Sequence, residues 1–384
     1  MKTKTLGELC DIASGGTPSR SKAEFWDEGT IPWIKIGNIK GKYVNEADEF
    51  ITQAGLDSSS AKMFSKGTVL YTIFATLGEV GILNIDACTN QAIVGITIKN
   101  SNELDNNYLY YYLKSKKMFV NNVGRGVAQN NINMSILKSF EVSLPKLAVQ
   151  KKIVNILDIV SSSIENYKQQ LQRFEMLINS RFVEMFGNPV SNPFEWDKVP
   201  LSELADIKIG PFGSLLHKDD YIENGHPLVN PSHIKDGKIV TDNKLTISDE
   251  KFGEMAAYHL KIGDVVMGRR GEMGRCAVVN EDGLLCGTGS LLIRSKGEVT
   301  ADYIQKIISF PSFKKIIEDM AVGQTMPNLN VPIVSDFKII KPSIGVQHKY
   351  YSFVHQVEKL KSEEQKRLEQ TQTLFDSLMQ KYFG

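Results

Sequence analysis

Two Asn-Pro steps are the nearest approach to a catalytic motif in these 384 residues. An enzyme that modifies adenine takes the base out of the helix into a pocket. It needs a glycine-rich cofactor loop and an Asp/Asn-Pro-Pro-aromatic run to hold the base. Asn192-Pro193-Phe194 and Asn230-Pro231-Ser232 each lack the second proline, and short Asn-Pro steps are ordinary turn formers. Gly271-Glu272-Met273-Gly274 lies between expected strands but does not follow the GxGxxG spacing that cradles a nucleotide. No Walker A lysine loop and no Ser/His/Asp arrangement stands out. Cys10, Cys88, Cys276 and Cys286 form no Cys-x-x-Cys pair, so they read as reduced thiols rather than a zinc site. His348 and His355, seven apart on an expected helix, have no acidic or cysteine partner in pattern and read as surface residues.

Base edges are read by Arg, Lys, Asn, Gln, Ser and Thr on loops that reach a groove. Thr17, Ser19, Arg20 and Lys22 form such a loop beside Gly15 and Gly16. Lys35, Asn38 and Lys40 follow Trp33 at spacing that would place them on one strand face, with Trp33 itself a packing residue. Arg125, Gln129 and Asn130 lie in a Gly-rich stretch. Farther along stand Ser214, His217 and Lys218, then Asn230, Ser232, His233 and Lys235, and the pair Arg269 and Arg270. For any one of these, plain turn or surface chemistry competes; the clusters carry the assignment. The net charge is only +1 with a pI near 7.6, unlike the strongly basic simple nucleic-acid binder. The case for DNA must rest on organisation, with partner chains expected to supply much of the phosphate contact.

That organisation is a repeat. Leu6-Gly7-Glu8-Leu9-Cys10-Asp11-Ile12 returns 195 residues later as Leu201-Ser202-Glu203-Leu204-Ala205-Asp206-Ile207. Gly126-Val127-Ala128-Gln129-Asn130-Asn131-Ile132-Asn133 answers to Gly323-Gln324-Thr325-Met326-Pro327-Asn328-Leu329-Asn330 at an offset of 197. Pro145-Lys146-Leu147-Ala148-Val149-Gln150 answers to Pro342-Ser343-Ile344-Gly345-Val346-Gln347, and Phe186-Gly187 to Phe383-Gly384, both at 197. Four matches in order at nearly one offset mark a duplication, and its expected form is a pseudo-twofold, nearly circular molecule.

Each copy opens with an α+β globule. Expected strands are 68–74, 80–85, 92–98 and 140–144 in the first and 264–267, 275–279, 290–294 and 337–340 in the second, β-branched runs bounded by Gly, Asn or Asp. Expected helices are 107–119 and 301–317. Each copy closes on a long helix. Ile153, Leu157, Val160, Ile164, Tyr167, Leu171, Phe174 and Ile178 step by four and three, the heptad seam of a coiled coil. No Gly or Pro interrupts 148–186, about 58 Å of helix, and Asn188-Pro189 stops it. In the second copy the register gives Tyr350, Val354, Val357, Lys361, Glu364, Leu368, Thr371 and Phe375, polar in the middle, as a wet contact or a partner-covered one would be. Two long amphipathic helices must bury their seams, so an antiparallel coiled coil with a globule at each end is expected. Such an object suits a bipartite, asymmetric duplex site, whose halves sit about a helical turn apart, roughly 34 Å. No run reaches the ~18 apolar residues of a membrane span, and the basic 1–4 stretch is followed by no apolar core of a secretory signal, so a cytoplasmic protein is expected.

Leu6 to Ile12, followed by Ser14-Gly15-Gly16-Thr17-Pro18-Ser19 and Ile31-Pro32-Trp33-Ile34, resembles the opening of a target-recognition domain in type I restriction–modification specificity subunits. Gly126 to Asn133 leading through Pro145 to Gln150 resembles that domain's exit, and Met185-Phe186-Gly187-Asn188-Pro189 the junction to the second domain. The second domain departs from the pattern, with Gly210-Pro211-Phe212-Gly213-Ser214 in place of the Gly-Gly-Thr-Pro opening. The resemblance implies recognition domains at 1–145 and 188–341 and spacer helices at 146–187 and 342–384. It implies a non-catalytic chain that binds double-stranded DNA, two methyltransferase subunits and, through them, restriction/translocase subunits. It places S-adenosylmethionine, ATP and Mg on those partners and no cofactor or metal here. A DNA adenine methyltransferase and a repeat scaffold with no DNA role are the competing readings.

Overall fold

The computed structural model describes residues 2–124, 131–212, 215–272, 274–321 and 328–384. The chain divides into two compact units, residues 1–169 with 364–384, and residues 170–363. Each long helix, Leu147–Phe186 and Ile344–Phe383, is 40 residues long and contributes to both units.

In the first unit, Lys2–Thr5 pairs antiparallel with Glu141–Leu144, joining the start of the domain to its exit. Thr5 then caps the short helix Leu6–Leu9 in a capping box with Glu8. A five-stranded sheet runs in the order Cys10–Ser14, Ile93–Ile98, Val69–Thr72, Val80–Leu83, Tyr43–Val44. A second sheet runs Glu49–Ile51, Ile31–Ile34, Ala87–Thr89, Met63–Phe64. The central strands are buried along their length, as their continuous apolar sequences require. Helix Asn106–Ser115, capped by Asp105, buries Tyr108, Leu109, Tyr111 and Leu113 against the larger sheet. Leu157 and Ile164 of the first long helix share that core with Phe375, Met379 and Phe383 of the second.

The second unit repeats this plan. Lys198–Pro200 pairs with Lys338–Ile340. One sheet runs Ala205–Ile209, Ser290–Ser295, Asp264–Gly268, Cys276–Val278, and another Tyr221–Ile222, Thr246–Ile247, His226–Val229, Leu285–Cys286. The parallel pairing of His226–Val229 with Leu285–Cys286 reproduces that of Ile31–Ile34 with Ala87–Thr89. Phe182 and Phe186 of the first long helix pack with Tyr303 and with Tyr350 of the second, ring centroids 5.3–6.4 Å apart. Phe383 meets Tyr108 at 5.1 Å in the equivalent place of the first unit.

The expected seam is the least exposed stripe of both helices, and none of its sixteen positions is fully exposed. Within each unit the N-terminal half of one helix packs with the C-terminal half of the other, the antiparallel arrangement anticipated from the heptads. In the polar middle Lys361 pairs with Glu175 across the helices and with Glu358 at 3.3 Å on its own. The structure differs from the expected 107–119 and 301–317 helices, since each is two. Asn106–Ser115 is followed by Lys117–Gly124, and Ala301–Ser309 by Pro311–Met320. In the second unit the cause is local. Proline at the first position of the new helix forces Phe310 into extended backbone.

A buried glutamine ties each long helix to its domain. Gln150 has no exposed surface; its Oε1 accepts the Asp105 N–H at 2.9 Å, and its Nε2 donates to the Glu103 and Pro145 carbonyls, each at 2.9 Å. Gln347 does the same with Thr300 N–H (2.9 Å), Glu298 O (3.3 Å) and Pro342 O (2.9 Å). Gln150→Ala strands three part-buried backbone groups, and a cost of about 2–4 kcal/mol is expected. Hydrogen exchange should show lost protection in 103–115 and at the start of the first long helix, with 298–309 unchanged; Gln347→Ala should give the mirror result. Equal loss in both units would contradict two independent clamps.

Candidate nucleic-acid interface

The loop after the first sheet strand is built on two glycines and two tryptophans. Gly15 N–H donates to Ile93 O at 3.0 Å and Gly16 N–H to Thr89 O at 2.9 Å. A Cβ on Gly15 would lie 2.1 Å from Thr89 Oγ1, and one on Gly16 2.3 Å from the Ser60 backbone, so only glycine fits. Trp33, 2% exposed, donates from Nε1 to Gly16 O at 3.0 Å, and Trp26 from Nε1 to Ser19 O at 3.1 Å. The two rings meet edge to face at 5.1 Å. Trp33 is thus the packing residue its sequence context suggests, and it also anchors the loop.

On that base the polar side chains are held in place. The Arg20 guanidinium lies 3.6 Å from the Trp26 ring centre and 2.5 Å from Glu49 Oε2. Lys35 reaches the other oxygen of the same carboxylate. The two cations, Lys35 first, hold the Glu49 carboxyl below the usual carboxylate range. Thr17 donates to Gln91, Ser19 and Ser21 share a hydrogen bond of 2.9 Å, and Lys22 lies 4.8 Å from the Phe25 ring centre. Glu49 escaped the sequence reading. It stands directly opposite Trp33 in the strand pairing, and only that register brings it under Arg20.

Lys35, Asn38 and Lys40 do not share a strand face. The strand ends at Ile34 and residues Ile36–Asn38 form a 3-10 turn. Asn38 Oδ1 accepts the Lys35 N–H at 2.8 Å, a side-chain bond that competes with strand pairing. Lys40 is exposed. The second unit has the same turn, Pro231–His233, after Val229. There His233 is 6% exposed, with Nδ1 2.7 Å from Leu228 O, so it holds the turn and does not face outward. Asn230 borders the turn, and Ser232 and Lys235 are exposed.

Several segments meet at this second turn. A Cβ on Gly210 would sit 1.9 Å from Gly287 O, and one on Gly287 2.2 Å from Asn230 Oδ1. Arg275 donates from Nη1 to Pro231 O at 3.2 Å. Arg269 is half-buried and donates from Nε to Leu329 O at 3.1 Å; burial lowers its pKa, with Arg270 adding to the effect. Arg270 is exposed. His217 is exposed, its backbone N–H bound to Asp220. Lys218 lies in the short turn Lys218–Asp220, its side chain outside what is described. Arg125, Gln129, Asn130 and Ser214 fall outside the described residues.

The residues with catalytic potential are otherwise engaged. Asn192 donates from Nδ2 to Trp196 O at 2.7 Å and accepts Trp196 N–H on Oδ1 at 3.0 Å, which spends its amide inside the turn. Burial pushes the thiols of Cys10, Cys276 and Cys286 up to about 12 and that of Cys88 up to about 11, so none is a ready nucleophile. Among the described residues no group of three His, Cys, Asp or Glu could hold a metal ion, and no helix is long and apolar enough to cross a membrane.

Comparisons with known proteins agree with the repeated plan. The type I restriction modification DNA specificity domain model matches residues 1–176 and again 193–370. The specificity subunit of the type I restriction enzyme MjaIX from Methanocaldococcus jannaschii is 26% identical, over 98% of this chain and 91% of its own. The S subunit of a type I restriction–modification system from M. genitalium shares the fold at a TM-score of 0.58 and 18% identity, over all of this chain and 96% of that one. A chain from a structure of complex assembly and conformational transition in the type I R-M system shares it at 0.63 and 16%, over all of this chain and 97% of that one. With both copies of the domain matched, the chain belongs to the type I restriction modification DNA specificity family.

Proposed function

We propose that the chain addresses a type I restriction–modification complex to a bipartite, asymmetric DNA site, each recognition domain reading one half. The observation that carries this is one turn with two sets of side chains. Ile36–Asn38 and Pro231–His233 form the same 3-10 turn after equivalent strands, flanked by Lys35, Ile39 and Lys40 in one and by Asn230, Ile234 and Lys235 in the other. A duplicated scaffold with different residues at the same turn is what two different half-sites require. Among the described residues, Thr17, Ser19, Arg20, Lys22, Lys35, Asn38 and Lys40 are the reading candidates of residues 1–145. Those of 188–341 are His217, Lys218, Asn230, Ser232, Lys235, Arg269 and Arg270. His233 drops out as a direct reader because it is buried.

The chain's neutral balance fits a division of labour in which partners carry much of the phosphate contact. Two methyltransferase subunits and, through them, restriction/translocase subunits are the proposed partners. S-adenosylmethionine, ATP and Mg belong to them, in the cytoplasm where the duplex is. The catalytic alternative is disfavoured by Asn192, whose amide is bound within its own turn and not free to hold a base.

Exchange of residues 1–145 for those of a relative with another site should change one half-site in the methylome and leave the other intact; a change in both would refute independent reading. Titration of the purified chain with S-adenosylmethionine in a calorimeter should give no binding heat. Saturable binding without partner subunits would favour the enzyme.

A further inference from the structure

Among the described base-reading candidates of the first domain, Arg20 is set apart by a guanidinium laid against tryptophan and ion-paired to a carboxylate on a neighbouring strand. Its guanidinium lies against the Trp26 ring at 3.6 Å and 4.9 Å from the Trp33 ring centre. One terminal nitrogen, Nη2, is 2.5 Å from Glu49 Oε2. Guanidinium carries five N–H donors in a fixed fork; the contact with Oε2 is an ion pair without hydrogen-bond geometry, and no other Arg20 N–H has a partner among the described residues. The side chain remains 53% exposed. A ring on one side and a carboxylate on one edge remove the freedom that a long arginine side chain otherwise has, and leave the remaining edge directed outward.

The support is itself rigid. Glu49 pairs with Trp33 across neighbouring strands, and residues directly opposite share a sheet face. Trp26 is bound through Nε1 to the backbone of Ser19, the residue before Arg20. The loop closes on Gly16, where Trp33 donates. Glu49 also repels phosphate, so a DNA strand laid against Arg20 gains less from a backbone contact there than from a base edge. Arginine meets guanine O6 and N7 with two parallel N–H groups, and the pairing is worth most when the fork is held in advance.

We propose that Glu49 is a specificity-determining positioning residue that, with Trp26, holds Arg20 for one guanine of the first half-site. This rests on the reading that residues 1–145 recognise DNA, and it adds a residue that touches no base. Loss of the carboxylate frees Arg20, and Lys35 on its other oxygen, to swing to phosphates and removes one negative charge, so DNA is held as well or better while the base is read less strictly.

The test uses the full chain assembled with its methyltransferase subunits, methylating a duplex library randomised across its site. Arg20→Ala and Glu49→Gln should relax the same single guanine position, with preference falling on the order of tenfold or more. The double variant should relax it no further, and the other half-site should stay strict. Glu49→Gln should also bind unrelated duplex more tightly than wild type, and confinement of its relaxation to the guanine that Arg20→Ala relaxes is what a merely structural role would not produce. If Arg20→Ala relaxes a guanine and Glu49→Gln leaves it strict, the positioning role is overturned while recognition by this domain stands. If Arg20→Ala relaxes nothing in either half-site, Arg20 is not a reader and the proposal fails with it. Should Glu49→Gln yield no soluble complex, Trp26→Leu should relax the same guanine, and an unchanged motif there overturns the proposal.

Discussion

A primary amide with no exposed surface sits in the first turn of each long helix, and the order within each unit depends on it. Gln150 and Gln347 each satisfy one backbone N–H and two carbonyls. A buried backbone group left unpaired costs more than the net gain of an ordinary hydrogen bond, so the helix start, the exit strand and the cap of the domain helix cannot drift apart separately. The tyrosines on the domain helices add a second tie, Tyr108 Oη to Ser143 O at 3.1 Å and Tyr303 Oη to Ile340 O at 3.0 Å. Because the clamp is polar and geometrically specific, it fixes orientation where apolar packing alone would tolerate sliding.

The variable chemistry is mounted on that invariant frame. In both units a strand parallel to its neighbour delivers the chain into a 3-10 turn whose own third side chain closes it, Asn38 in one and His233 in the other. Close approaches at Gly15 and Gly210 leave no room for a Cβ, which fixes the loops beside those turns. The outward residues of the two turns differ in part, Gly37 and Lys40 in one and Ser232 and Lys235 in the other. A rigid mount with changeable faces lets one scaffold serve different half-sites without refolding, and it lowers the entropy lost when a loop meets DNA.

Much of this was legible in the residues. The repeat, the two long helices and their seam follow from offsets and heptad spacing, because period and burial are local properties of the chain. The central strands of the larger sheets were legible for the same reason, whereas the edge strands Cys10–Ser14 and Ala205–Ile209 were not among those expected. Strands of two or three residues, Tyr43–Val44, Met63–Phe64 and Glu49–Ile51, are too short for alternation to show. The 3-10 turn at 36–38 escaped because Asn38's capping bond outweighs its apparent strand spacing. The break at Lys116 carries neither proline nor glycine, whereas the Phe310-Pro311 step did offer a signal. Within the candidate interface, the types of Arg20 and Lys35 were readable, but their shared partner Glu49 was not. Strand register places it, and register is a long-range property.

The central claim is that these two turns and their loops touch bases. It is tested most directly by a cryo-EM reconstruction of the chain with its methyltransferase subunits on a duplex carrying its own site. The account predicts Arg20 and the Ile36–Asn38 turn at base edges of one half-site, and the Pro231–His233 turn at base edges of the other. A reconstruction in which both turns face solvent, and partner subunits make every base contact, would contradict it.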